Sequence, residues 1–177
     1  MFIIDRDKLL DTVMHSIVEW PITNMFGGPG YGKTVLAVEA GYRSLTEKHF
    51  ETVIWTTAKG ASLSCSQIAD TILKTRGHLG ALRLPENEKT EMAYGVIRST
   101  RCLLIVDNLE TIEDQQVFAC IETVPDPSHV LTTTRRLIGI EGEHVIDVTG
   151  MSKPETMLLV QEEVKRLNLP KIGRAHV

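Results

Sequence analysis

Eight consecutive residues, Gly27-Gly28-Pro29-Gly30-Tyr31-Gly32-Lys33-Thr34, carry the densest potential chemistry in the chain. They fit G-x-x-x-x-G-K-[ST], the spacing with which a backbone loop cradles phosphate groups. Glycines let the chain turn tightly enough to aim successive N–H groups at phosphate oxygens. Lys33 has the length and charge to reach β- and γ-phosphates, and the Thr34 hydroxyl suits the coordination shell of Mg²⁺. All eight residues are therefore expected to bind a nucleotide, ATP or ADP, with the helix that starts at Lys33 presenting its positive dipole end to the anion.

Two more constellations belong to the same chemistry. Asp107 directly follows the apolar run Cys102-Leu103-Leu104-Ile105-Val106. There an acidic residue holds Mg²⁺ or polarises a water opposite Thr34. Thr132-Thr133-Thr134-Arg135-Arg136 ends another β-branched run. If that strand lies between those leading to the glycines and to Asp107, Arg135 points at the γ-phosphate and distinguishes ATP from ADP. A surface arginine pair is the alternative. The expected catalytic set is Lys33, Asp107 and Arg135, with Thr34 and Asp107 as metal ligands. Asn108 stands where a proton-accepting base would be most useful, and an amide cannot accept that proton, so slow hydrolysis is expected. Glu110 reads as a solvated loop residue, with service as a substitute base as its alternative.

The elements that must position these groups alternate strand and helix, which predicts a parallel sheet covered on both faces. Strands are expected at residues 22–26, 52–57, 102–106, 130–134 and 144–148. A helix over 33–47 carries a stripe of Val35, Val38, Tyr42 and Leu45, with small residues Ala37 and Gly41 suited to close approach on a sheet. Ser64 and Gln67 form a capping box that opens a helix to about residue 76, with Ile68, Ile72 and Leu73 on its buried side. Further helices are expected over 86–99, with Met92, Val96 and Ile97, and over 111–123. Ser152-Lys153-Pro154-Glu155 opens a last one with Met157, Leu158, Val160, Val164 and Leu167 on its apolar face. The fold class is α/β: a three-layer domain on five parallel strands, with the strand before the glycines central.

The chain has 177 residues and a formal charge of -4, enough for one α/β domain. This mildly acidic balance argues against a dedicated nucleic-acid surface. No apolar run reaches membrane-span length, so no membrane association is expected. Cys65, Cys102 and Cys120 lack metal-ligand spacing and read as reduced, mostly buried thiols of a cytoplasmic protein.

Taken together, these motifs resemble the nucleotide-binding core of the NB-ARC family, in the signal-transducing STAND branch of P-loop ATPases. GGPGYGKT resembles its Walker A, LLIVDNLE its Walker B, HVLTTTRR its sensor strand, and VIWTT its second strand. Ile4-Asp5-Arg6-Asp7 stands where the family has an apolar-Gly-Arg-Glu segment near the adenine; Arg6 aligns and the glycine does not. Val148-Thr149-Gly150-Met151-Ser152 resembles the approach to the last core helix. The resemblance implies an ATP/ADP-dependent switch and at most a weak ATPase, whose partners are further copies of itself or effector domains of a longer parent. An AAA+ remodelling ATPase and a P-loop kinase for a small molecule are the alternatives. The domain is expected to span 1–170. Residues 172–177, Ile-Gly-Arg-Ala-His-Val, translate a common sequencing adapter, so 171–177 is expected to be a non-native tail.

Overall fold

The computed structural model describes residues 6–59 and 63–150, together with Thr156, Met157, Gln161 and Lys165. Its sheet comprises β1 (Ile22–Phe26), β2 (Thr52–Thr57), β3 (Cys102–Asp107), β4 (His129–Thr134) and β5 (Glu143–Asp147). Every pairing is parallel and the strand order is β2-β3-β4-β1-β5. All six residues of β3 are buried, which its unbroken apolar character requires of a strand covered on both faces. Alternation survives within it. Cys102, Leu104 and Val106 enter one core, while Leu103 and Ile105 enter the other.

Those two cores make the three layers. On one side, α1 (Asp7–Glu19) contributes Leu10, Val13, Met14 and Ile17, and α2 (Lys33–Thr46) contributes Leu36, Ala37 and Ala40. On the other, α3 (Cys65–Thr75), α4 (Glu86–Arg98) and α5 (Gln115–Glu122) pack Ile68, Ile72, Ala93, Ile97, Val117 and Ile121 against the sheet. The start of α3 follows from its sequence. Ser64 Oγ accepts from the Gln67 amide at 3.3 Å, and the Gln67 side chain accepts from the Ser64 amide at 2.9 Å.

Four expectations are corrected. Helix α1 has no counterpart in the expected elements, although Leu10, Val13, Met14 and Ile17 stand at helical spacing. The stripe on α2 faces outward: Val35, Tyr42 and Leu45 are exposed, and the small residues Ala37, Ala40 and Gly41 lie against the sheet. A Cβ on Gly41 would come within 3.2 Å of Ile105, so close packing there selects small residues over large ones. The helix expected over 111–123 is divided into a 3₁₀ turn, Leu109–Thr111, and α5, which Asp114 opens by accepting from the Gln116 amide at 2.9 Å. Finally, Cys65 and Cys120 form a disulfide, with Cα atoms 6.0 Å apart, because α3 and α5 lie side by side; Cys102 alone is a free, buried thiol. The expected last helix lies almost wholly outside the described residues.

Candidate functional site

The carboxyl ends of β1, β3 and β4 meet at one edge of the sheet, with β4 between the other two. This is where an open parallel sheet binds its ligand. It is also the order on which a γ-phosphate role for Arg135 depends.

Between β1 and α2 the glycine loop is shaped by two separate demands. Gly32 stands at φ 80° directly before the first residue of α2, a left-handed conformation that suits glycine. At Gly27 the demand is space. A Cβ would lie 2.2 Å from the Val148 carbonyl oxygen, beyond the end of β5. The loop is tied from outside by Arg6, which is 5% exposed. Its guanidinium donates to the Tyr31 carbonyl at 2.5 Å and to the Thr149 carbonyl. Arg6 thus joins the residue before α1 to the glycine loop and to the chain leaving β5. Family resemblance pointed to this position, but nothing in the sequence indicated that it braces the loop.

Lys33 is buried and folds back over the loop, its Nζ donating to the carbonyls of Gly27 at 2.7 Å and Gly28 at 2.8 Å. Burial lowers its pKa from that of an ordinary lysine; Glu110 opposes the shift, Arg135 adds to it and Asp107 opposes it. Four charged groups, on α2, at the end of β3, on the turn after it and just beyond β4, therefore share one field.

Asp107 is 4% exposed and fully engaged. Its Oδ1 accepts from the hydroxyls of Thr34 at 2.8 Å and Thr133 at 2.7 Å, and its Oδ2 from the Asn108 amide at 2.8 Å. Asn108 takes a left-handed conformation, φ 60°, and its backbone N–H donates to Thr133 Oγ1 at 3.0 Å. Its side chain is thereby committed to orienting Asp107. The hydroxyl and carboxylate expected to bind a metal are in direct contact. Among the described residues no group of three or more His, Cys, Asp or Glu could hold a metal ion. One hydroxyl and one carboxylate fit Mg²⁺, which keeps several waters and takes its other ligands from a substrate's phosphates.

Arg135 and Glu110 form an ion pair, Nε to Oε1 2.9 Å, with side chains 55% and 12% exposed. The expectation of a solvated Glu110 is corrected. Fully buried Leu109 anchors the 3₁₀ turn and draws Glu110 into the site. Nearness to Lys33, Arg135 and Asp107 is something the linear spacing conceals.

An NB-ARC domain model matches residues 5–169. The chain belongs to the NB-ARC family. No curated protein sequence matches it. Among solved structures, this NB-ARC chain is similar to Cdc6p from Pyrobaculum aerophilum, with TM-score 0.78 and 15% identity over 93% of this chain and 50% of that one. It is also similar to a signal-transduction ATPase with numerous domains (STAND) that carries a tetratricopeptide repeat sensor, from Pyrococcus horikoshii. There the TM-score is 0.65 and the identity 20%, over 92% of this chain and 25% of that one. AMPPCP-bound DnaA from Aquifex aeolicus gives 0.59 and 17%, over 98% and 56%. At these identities the likeness shows a shared P-loop ATPase fold, and the chain spans about half the length of the first of these structures. Family and fold together make this NB-ARC domain a nucleotide-binding module of the P-loop ATPase class.

Proposed function

We propose that this NB-ARC domain is the ATP/ADP-binding core of a STAND-type signalling switch that hydrolyses ATP slowly. The observation that carries the reading is the contact between Thr34 and Asp107 at 2.8 Å, which draws the glycine loop and the end of β3 onto one point. In this reading the backbone N–H groups of residues 28–32 hold phosphate and Lys33 neutralises charge on the β- and γ-phosphates. Thr34 and Asp107 hold Mg²⁺, which when bound would offset charge on the phosphate oxygens. Arg135 meets the γ-phosphate. Slow turnover follows from Asn108, whose amide is not a base and already serves Asp107.

Two states with different affinities for ADP and ATP are what such a switch needs. The reading is tested by steady-state phosphate release from ATP alongside direct binding of both nucleotides. Tight binding with turnover far below the ~10 s⁻¹ typical of enzymes supports it. Turnover at or above that level would favour a remodelling ATPase, and transfer of the γ-phosphate to a small-molecule acceptor would favour a kinase.

A further inference from the structure

Glu110 is paired with Arg135, yet the proposed function assigns it no task, and its setting is unusual. Only Oε1 is paired, with Arg135 Nε. Oε2 is buried and accepts no hydrogen bond among the described residues. A carboxylate held away from water with one bare oxygen is costly unless nearby positive charge compensates it. That charge comes from Arg135 and from Lys33, on which Glu110 exerts the largest attraction of any neighbouring charge. These are the two cations that the proposed function aims at the γ-phosphate. The carboxylate is also fixed in place. Asn108 at φ 60° turns the chain, and Leu109, 0% exposed, pins the 3₁₀ turn that carries Glu110.

We propose that Glu110 competes with the γ-phosphate of a bound nucleotide for Arg135, and so sets the preference of this site between nucleoside di- and triphosphates. The inference rests on the phosphate-binding reading above. With a diphosphate, no ligand oxygen reaches for Arg135 and the ion pair persists. A triphosphate offers oxygens of higher charge, and each charge-assisted bond it gains from Arg135 is offset by the loss of the bond to Glu110. The pair therefore weakens ATP and leaves ADP alone, which is the differential affinity that biases a two-state protein.

The test is Glu110→Gln, which keeps the shape and removes the charge, with affinities for ADP and for a non-hydrolysable ATP analogue measured by calorimetry in Mg²⁺ buffer. The analogue should bind about two- to fivefold more tightly than to the parent protein, the range expected for releasing a partly exposed ion pair. ADP affinity should rise by less, since a diphosphate meets only Lys33 and not Arg135. Glu110→Ala should shift the analogue in the same direction, and in an Arg135→Gln background the Glu110→Gln effect should fall to the one seen with ADP, since the part that acts through the ion pair is gone. Unchanged or weakened analogue binding, an equal change for ADP, or an effect that persists undiminished without Arg135 would overturn the proposal. Failure of the underlying reading looks different: the parent protein would bind neither nucleotide, or would bind both regardless of Lys33.

Discussion

The Thr34 hydroxyl donates a 2.8 Å hydrogen bond to Oδ1 of Asp107, 73 residues further along the chain. That bond links the first turn of α2 to the end of β3 across the intervening β4, whose Thr133 donates to the same oxygen at 2.7 Å. One buried carboxylate therefore coordinates three elements, and a metal held there would be oriented by all of them.

Asp107→Asn should leave the fold intact and weaken the support that Mg²⁺ gives to triphosphate binding. Loss of an outer-shell partner alone costs about 10–100-fold in metal affinity, and weakening a direct ligand should cost at least as much. The check is a Mg²⁺ titration at fixed ATP analogue, with EDTA as the end point. Identical curves for the variant and its parent would exclude Asp107 from the metal site.

Two glycine substitutions should move stability in opposite directions. In Gly27→Ala the new methyl meets the Val148 carbonyl at 2.2 Å, and overpacking of this kind costs about 1–3 kcal/mol. Gly95 lies within α4, where a Cβ meets nothing within 4 Å, so Gly95→Ala should stabilise by roughly 0.4–1 kcal/mol. Thermal melts of both variants decide the matter. A Gly27→Ala protein as stable as the parent would show that the loop does not approach β5 as described.

Thiol counting separates the cysteines. The unreduced protein in denaturant should show a single reactive thiol, Cys102, since Cys65 and Cys120 are joined. In the native protein Cys102 should be silent as well, because burial raises its pKa and withholds the reactive thiolate. Three thiols in denaturant would contradict the disulfide. A thiol that reacts rapidly in the native protein would contradict the burial.

Much of this architecture is legible in the sequence. The five strands are short β-branched or apolar runs bounded by turns, and the Ser64–Gln67 capping box marks the start of α3 directly. The glycine loop declares itself because each fixed residue of its motif has its own steric or chemical task. Less visible were features whose cause is tertiary. Val35, Tyr42 and Leu45 suggest a buried stripe on α2, yet a helix close to a sheet buries its small residues and leaves the large ones outside. Pairing of Cys65 with Cys120 depends on how α3 meets α5, which no spacing encodes. Arg6 reaches the glycine loop across 25 residues, and Glu110 enters the site only because Leu109 is buried below it. Helix α1 is a different case, since its apolar spacing was present in the sequence and sufficient to find it.

The most direct test of nucleotide binding at this loop is calorimetric titration of ADP into the protein and into Lys33→Ala, with far-UV circular dichroism confirming that both are folded. Loss of a charge-assisted contact to phosphate should reduce affinity by at least about tenfold, to the limit of detection for a moderate binder. Equal ADP affinity in the two proteins would contradict the account, because the lysine that closes over the glycine loop would then have no part in holding phosphate.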